Sequence, residues 1–389
     1  MPSMFIGGAE RSLLGLLDSF DYSKYEVSLF LYRHEGEFLE FIPKQVNVIP
    51  ELDRYRTFDV PISSLLFSRL FIFGFARIIG KIAKLIHEKF KGESADVWMS
   101  MQYTSRFLLP LLPRIPGEYD LAIMFLGIGD VLVNKVNANT KITWNHTDYT
   151  TLNPDKNYDL SVFEKLDYIV SVSEQATKQL LQVYPSIKSK AITVENILSK
   201  DFLYKQSSKT VYDMPKDDNT INLLTVGRYA YAKNFDNIPE ICKKIIAKGL
   251  PIKWYLIGYG VDEQLIKRQI AKSKMNDYVI MLGKKENPYP YIKACDIYVQ
   301  PSRYEGKCVS VREAQILQKP VIITNYATSS SQLQDGYDGI IVPMDNEECA
   351  NSISSVIQNM SLRQKLVDNT KKGDYTNAKE IEKIYRLVP

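Results

Sequence analysis

The stretch Cys295-Asp296-Ile297-Tyr298-Val299-Gln300-Pro301-Ser302-Arg303-Tyr304-Glu305-Gly306-Lys307-Cys308-Val309-Ser310-Val311-Arg312-Glu313 decides the fold. Its first six residues form an apolar run that reads as a buried strand. Residues 309–318 read as a helix, because Val311, Ala314, Leu317 and Gln318 fall near one face. Glu305 therefore lies in a strand-to-helix loop, and Glu313 in the first turns of the helix. In an open parallel sheet, ligands bind beyond the carboxyl ends of the strands. Both carboxylates are expected to face that crevice. Glu313 also has a plainer reading, since Ser310-Val311-Arg312-Glu313 fits a capping box. Glu305 alone would read as a solvated loop charge.

A second site upstream favours the functional reading. Leu223-Leu224-Thr225-Val226-Gly227-Arg228-Tyr229-Ala230-Tyr231-Ala232-Lys233-Asn234 begins as a strand. Gly227 ends it and permits close backbone approach. Arg228 and Lys233 follow, on a loop leading to a helix at about 235–248. Arginine offers a planar fork for two phosphate oxygens, and lysine a mobile point charge. A diphosphate held there would also meet a helix N-terminus. Two ordinary surface cations are the alternative for that pair taken alone.

These motifs, with Lys319-Pro320-Val321-Ile322 and Asp335-Gly336-Tyr337-Asp338-Gly339-Ile340-Ile341-Val342-Pro343, resemble glycosyltransferase family 4. Gly7-Gly8-Ala9-Glu10-Arg11 is similar to that family's acceptor-side glycine-rich loop. The resemblance is strong over residues 222–343 and weak over 49–139. It implies a GT-B fold, in which two Rossmann-like doubly wound α/β domains face a central cleft. It implies an acceptor domain over 1–198, joined by a returning C-terminal helix at 376–389, and a donor domain over 199–375. It implies a retaining hexosyl-type transferase in cell-surface polysaccharide biosynthesis. The donor would be a nucleoside-diphosphate sugar (UDP- or GDP-linked), and the acceptor a saccharide or lipid-linked saccharide.

Roles carry over by position. Arg228 and Lys233, with Gly227, would hold the donor diphosphate, where fixed cations stabilise the charge left on the departing phosphate. Glu313 would accept from the ribose hydroxyls. Glu305 would bind hydroxyls of the transferred sugar, near a carbon that develops oxocarbenium character. The amides around Val309 and Ser310 would add to the phosphate cradle. His146, in Ile142-Thr143-Trp144-Asn145-His146, stands where the family has a histidine facing the donor sugar. Gly7 and Gly8 would form the acceptor-side loop. Donor and acceptor in different domains imply closure, with exclusion of water favouring transfer over hydrolysis. No cofactor or metal is expected, since no Asp-x-Asp or histidine cluster suits a diphosphate-bound cation.

The chain also departs from the family pattern. Lys307-Cys308 stand where an aromatic and a Gly or Pro are common, and Thr328-Ser329-Ser330-Ser331-Gln332 where an acidic residue is common. Both lie near the expected sugar pocket. Only six residues precede Gly7, too few for the first, central strand of a doubly wound sheet, so the natural chain is expected to begin upstream.

Composition sets bounds. The 389 residues suggest two domains, and a net charge of +4 does not argue for nucleic acid. The four cysteines, at 242, 295, 308 and 349, have no metal spacing, and three of them read as reduced core residues, which suits the cytoplasm. Cys308 has no evident base and reads as a bystander. No signal peptide or spanning run is visible. Strands and helices alternate, with strands expected at about 25–32, 120–125, 141–144, 167–172, 191–195, 252–257, 278–282, 297–300 and 321–324. That order predicts parallel sheets covered on both faces. A polar stretch, 205–219, reads as the interdomain linker.

Residues 63–92 carry six basic side chains (Arg69, Arg77, Lys81, Lys84, Lys89, Lys91) against Glu88 alone. Phe71, Phe73, Phe75, Ile78, Ile79, Ile82, Leu85 and Ile86 give the same segment an apolar face. That composition suits an interfacial membrane helix, and equally a core helix with a cationic edge. Gly258-Tyr259-Gly260 and Gly127-Ile128-Gly129 each lack the third glycine of a dinucleotide fingerprint and read as tight turns. A dinucleotide-dependent oxidoreductase, a nucleotide-sugar epimerase and a non-catalytic sugar-nucleotide binder remain alternatives on this fold.

Overall fold

The computed structural model describes all residues except 6, 92–96, 218 and 306–307, together with the side chain of Lys91. Gly306 and Lys307 of the carboxylate loop, and Gly92 at the end of the basic segment, thus lie outside the described residues. The chain forms two compact units, Met1–Ile197 with Asn377–Pro389, and Leu198–Thr376.

Leu198–Thr376 is built on six parallel strands. Ile221–Val226 is central, with Ile252–Ile257 and Val279–Gly283 on one side and Ile297–Gln300, Val321–Thr324 and Ile340–Val342 on the other. In chain order this is 3-2-1-4-5-6, the doubly wound arrangement. The strands read as nearly unbroken apolar runs because helices cover both faces. Tyr298, Val299, Val321 and Ile322 are at most 1% exposed. Polar groups inside are paired. The Trp254 indole donates to Thr225 Oγ1 at 3.0 Å, and Thr225 Oγ1 donates to the Val299 carbonyl at 2.6 Å. These bonds tie the three central strands together.

The polar stretch at 205–219 does not link the two units, because it lies inside the second one. Its first residues complete a helix, Lys200–Ser207, whose buried face wins over its polar composition. Tyr204 donates to the Ile316 carbonyl at 3.1 Å, and Asn287 Nδ2 donates to Gln206 Oε1 at 2.8 Å. The helix expected at 309–318 ends at Ile316, where Gln318 takes a left-handed φ of 59°.

The other unit carries four parallel strands, Glu118–Met124, Asn137–Asn145, Tyr168–Ser171 and Ala191–Thr193, and a separate parallel pair, Ser28–Phe30 with Asn47–Ile49. Residues 1–4 run beside 30–35, with Tyr32 N donating to Met1 O at 3.0 Å and Arg33 N to Pro2 O at 2.9 Å. Near the C-terminus, Ala378–Glu380 and Ile381–Tyr385 make two short turns rather than one long helix. Tyr385 stacks on Tyr25 at 4.5 Å and its hydroxyl accepts from Asp21 N at 2.7 Å.

The helix Phe71–Lys91 is not a core helix. Phe73, Ala76 and Gly80 are buried, and a Cβ on Gly80 would lie 2.9 Å from the Tyr103 carbonyl of the neighbouring helix Val97–Leu108. Ile79, Ile82, Leu85 and Ile86, expected on one apolar face, are instead 50–60% exposed. Among the described residues no helix is long and apolar enough to cross a membrane.

Candidate functional site

In the 3-2-1-4-5-6 order the switch point lies between Ile221–Val226 and Ile297–Gln300, and ligands of open α/β sheets bind beyond the carboxyl ends at such a point. The loops after these two strands carry the charged residues singled out in the sequence. Lys233 Nζ sits 2.6 Å from Glu305 Oε1 and 3.8 Å from Cys308 Sγ. Burial pushes the Lys233 ammonium down, but Cys308 and Glu305 outweigh it, and the net shift is upward. Lys233 therefore keeps its charge inside the site.

Glu305 is oriented from the strand end. Its Oε1 also accepts from Ser302 Oγ at 2.6 Å, and Ser302 Oγ accepts from Gln300 Nε2 at 3.0 Å. Gln300 Oε1 accepts from the Tyr298 hydroxyl at 2.9 Å. All three relay residues are fully buried. Sequence reasoning missed this relay, although polar residues closing a buried strand were its visible signal.

The segment that replaces the family's acidic residue has a structural task. Thr328 Oγ1 donates to the Glu305 carbonyl at 2.8 Å, and Gln332 Oε1 accepts from Cys308 N at 2.8 Å. Thr328 and Gln332 thus hold both ends of the loop from 305 to 308. Cys308 is held within the site's packing. It is buried, precedes the helix Val309–Ile316, and places Sγ 3.2 Å from Ser310 Oγ.

The capping box fails, because the helix begins at Val309 and its preceding residue is Cys308 rather than Ser310. The Ser310 hydroxyl points inward, 2.8 Å from the Tyr298 hydroxyl. Glu313 is 3% exposed and accepts from the Tyr289 hydroxyl at 2.9 Å. The Val309 and Ser310 amides stand at a helix start, where backbone N–H groups lack intrahelical acceptors.

Arg228 is exposed, and among the described residues it has no ion pair or hydrogen bond. Its loop is held from elsewhere. Arg303 makes a two-pronged contact with Asp236, 2.9 and 2.7 Å, donates to the Tyr231 carbonyl at 2.7 Å and stacks over the Tyr231 ring. Asn234, left-handed at φ 59°, turns the chain between Tyr231–Lys233 and Phe235–Asn237, so the helix expected from 235 starts only at Ile238. Gly258 and Gly260 begin a turn whose backbone meets the loop after Ile221–Val226. They pack against this same loop, where Tyr229 N donates to Tyr259 O at 2.9 Å.

His146, Gly7 and Gly8 belong to the other unit. His146 follows the strand Asn137–Asn145, and its Nε2 lies 3.0 Å from the Phe125 carbonyl, so Nε2 carries the proton. Burial pushes the imidazole down to about 4, against the opposing pull of that carbonyl. A neutral ring results, with Nδ1 as an acceptor. The folded state then holds fewer protons than the unfolded chain between about pH 6.5 and 4. This stabilisation is present above pH 6.5 and is lost as pH falls. Buried Asp159, pushed up to about 6, works in the opposite sense. Comparison with His146→Gln, which keeps a donor for Phe125, cancels that background. The protein should lose about 2 kcal/mol more than the variant between pH 7 and 5. Urea midpoints at the two pH values check this, and equal losses would refute it.

Gly7 is the extended residue before the helix Gly8–Asp18. A Cβ on it would fall 2.0 Å from Glu10 Oε2, so the Glu10 carboxyl covers this helix start, while Gly8 faces open space.

Residues 209–373 match the family model of glycosyl transferases group 1. An uncharacterized glycosyltransferase of Methanocaldococcus jannaschii is 28% identical over 247 residues, 60% of this chain and 62% of that protein. The N-acetylgalactosamine-N,N'-diacetylbacillosaminyl-diphospho-undecaprenol 4-alpha-N-acetylgalactosaminyltransferase of Campylobacter jejuni is 24% identical, over 57% of this chain and 58% of that protein. The chain thus spans about three-fifths of the length of these curated relatives. The crystal structure of Anabaena HepE in complex with UDP aligns with a TM-score of 0.55 at 16% identity, covering 99% of this chain and all of that one. The fold is GT-B.

Proposed function

We propose that the protein transfers a sugar from a nucleoside-diphosphate sugar to a saccharide or lipid-linked saccharide, with retention, in cell-surface polysaccharide biosynthesis. The carrying observation is the gathering of Arg228, Lys233, Glu305 and Glu313 at the switch point of a 3-2-1-4-5-6 sheet. The match to glycosyl transferases group 1 and the likeness to a structure holding UDP support the same reading. In this reading Arg228 and Lys233 take the diphosphate, with the Val309 and Ser310 amides. Buried Glu313, fixed by Tyr289, receives the ribose hydroxyls. Glu305 turns to the sugar as Lys233 shifts toward phosphate. His146, neutral, contributes a hydrogen bond rather than charge.

Thermal shift with UDP, GDP, ADP, CMP and NAD tests this. A nucleoside diphosphate at a hundredfold over its Kd should add about 2.7 kcal/mol of stability. The shift should vanish in Arg228→Ala. A shift with NAD alone, indifferent to Arg228, would refute the reading.

The same reading places the helix Phe71–Lys91 on an anionic membrane surface, because its exposed isoleucines and leucine are flanked by lysines. Reversing Lys81 and Lys84 together should weaken binding to anionic vesicles by roughly tenfold or more, at about 1 kcal/mol per basic residue. Nucleotide binding should be unaffected. Equal vesicle binding by the variant would count against a membrane role.

A further inference from the structure

A cavity of about 620 Å³ opens in the unit that contains His146, between the helices Phe71–Lys91 and Val97–Leu108 and the carboxyl end of the strand Glu118–Met124. That volume is in the range of sites for small organic ligands. Leu85, Met101, Met124, Leu126, Ile128 and Val131 supply apolar wall. Arg77, Lys81 and Lys84 stand along one side, spaced so that they share a flank of their helix.

Two carboxylates, Asp59 and Asp130, also line the cavity. Asp59 is paired with Arg33 and acts on Arg77 as well. Asp130 is 2% exposed, accepts from Tyr158 at 3.0 Å, and is pushed upward by burial. Of the cations, Arg77 donates to the Thr57 and Val60 carbonyls, which fixes the guanidinium in place. Lys84 Nζ lies 3.2 Å from Ser100 Oγ and 3.9 Å from Glu88. Lys81 is exposed and has no ion pair among the described residues.

Leu85 and Met101 line the cavity and are also 60% and 41% exposed, so the apolar wall runs out onto the exposed stripe of Ile82 and Ile86. An apolar cleft that continues into an apolar surface, with cations at the junction, fits one kind of molecule. It fits a chain entering from a membrane with an anionic head beside it.

We propose that this cavity binds the first part of an alkyl or isoprenoid chain and the phosphate head of a membrane lipid that carries the acceptor. The proposal rests on the transferase reading for the role of that lipid, but not for its binding. Arg77, Lys81 and Lys84 hold the phosphate, and the walls from Leu85 to Leu126 cover the chain.

Calorimetric titration with dodecyl phosphate, below its micelle concentration, tests the proposal without sugar or donor. Inorganic phosphate and dodecyl maltoside serve as the other arms. Saturable one-to-one binding is expected, at least about tenfold tighter than for inorganic phosphate, as burial of two or more methylenes requires. It should also be at least about fivefold tighter than for dodecyl maltoside, because of the charge. Lys81→Glu should weaken it about tenfold, and Met101→Trp, at an exposed mouth position, should block it by filling space. Equal binding of inorganic phosphate would reduce the site to an anion site, and equal binding of dodecyl maltoside to a bare apolar surface. Either result overturns the proposal, as does indifference to both variants. The nucleotide thermal shift, measured on the same samples, reports separately on the donor site.

Discussion

Lys233→Met should cost roughly 3 kcal/mol of stability and nearly abolish sugar transfer, whereas Lys233→Met with Glu305→Gln should regain most of the stability and none of the activity. The Glu305 side chain is 9% exposed, the Lys233 side chain 21%, and they meet at 2.6 Å. Removing the cation leaves a carboxylate with Ser302 as its named hydrogen-bond donor inside the protein. An uncompensated buried charge costs about 3–5 kcal/mol, and the partial exposure here favours the lower end. Neutralising both partners removes that penalty, and glutamine still accepts from Ser302. Catalysis follows a different rule. Lys233 is assigned to the charge that develops on the departing phosphate, and removing one such fixed donor costs about 10²–10³ in rate. Melting temperatures of the four proteins in the cycle, with donor turnover for each, check both halves. A double variant that regains activity would show that the pair is structural. A Lys233→Met protein of normal stability would show that Glu305 is not buried when unpaired.

That pair also marks where sequence reading stops. Most strand positions followed from apolar runs, because a parallel sheet covered on both faces leaves little choice of residue. The loops bearing Arg228, Lys233, Glu305 and Glu313 were placed by the rule that ligands gather beyond strand carboxyl ends. What the sequence did not display were bonds between distant residues. Lys233 and Glu305 are 72 positions apart, as are Arg303 and Tyr231. No local pattern couples them. Gln332 clamps Cys308 from 24 positions away, and the sequence offered only the lack of an expected acid at that place. The capping box failed because Ser310 finds partners in the core, Tyr298 and Val226, that compete with its own helix end. The basic segment was ambiguous for a related reason. Periodicity locates an apolar face but does not reveal whether another element covers it. In Phe71–Lys91 two faces are apolar, and Gly80 with Phe73 selects the buried one.

Gly258 and Gly260 yield the other large effect, because their backbone approaches the loop that carries Arg228 too closely for a side chain. A Cβ on Gly258 would lie 1.9 Å from the Gly227 carbonyl oxygen, and one on Gly260 2.3 Å from the Tyr229 carbonyl oxygen. A side chain could swing aside, but a backbone oxygen moves only with its loop. Gly258→Ala must therefore push residues 227–229 away from the sheet, and the bond from Gly227 N to Ile257 O at 3.0 Å opposes that movement. A loss of about 3 kcal/mol is expected, at the upper end for overpacking. Arg228 sits inside the displaced segment. A shift of about 1 Å in a positioning residue can cost a hundredfold, so transfer should fall steeply even at temperatures where the variant is folded. Val261→Ala, in the same turn but 92% exposed, should change neither quantity and controls for the turn itself. Melting temperature and nucleoside diphosphate affinity together decide the matter. Reduced stability with unchanged affinity would mean that Gly258 only packs, and that Arg228 reaches its ligand independently of the loop beneath it. Loss of both would mean that the close approach of two backbones, which only glycine allows, sets the position of the cation.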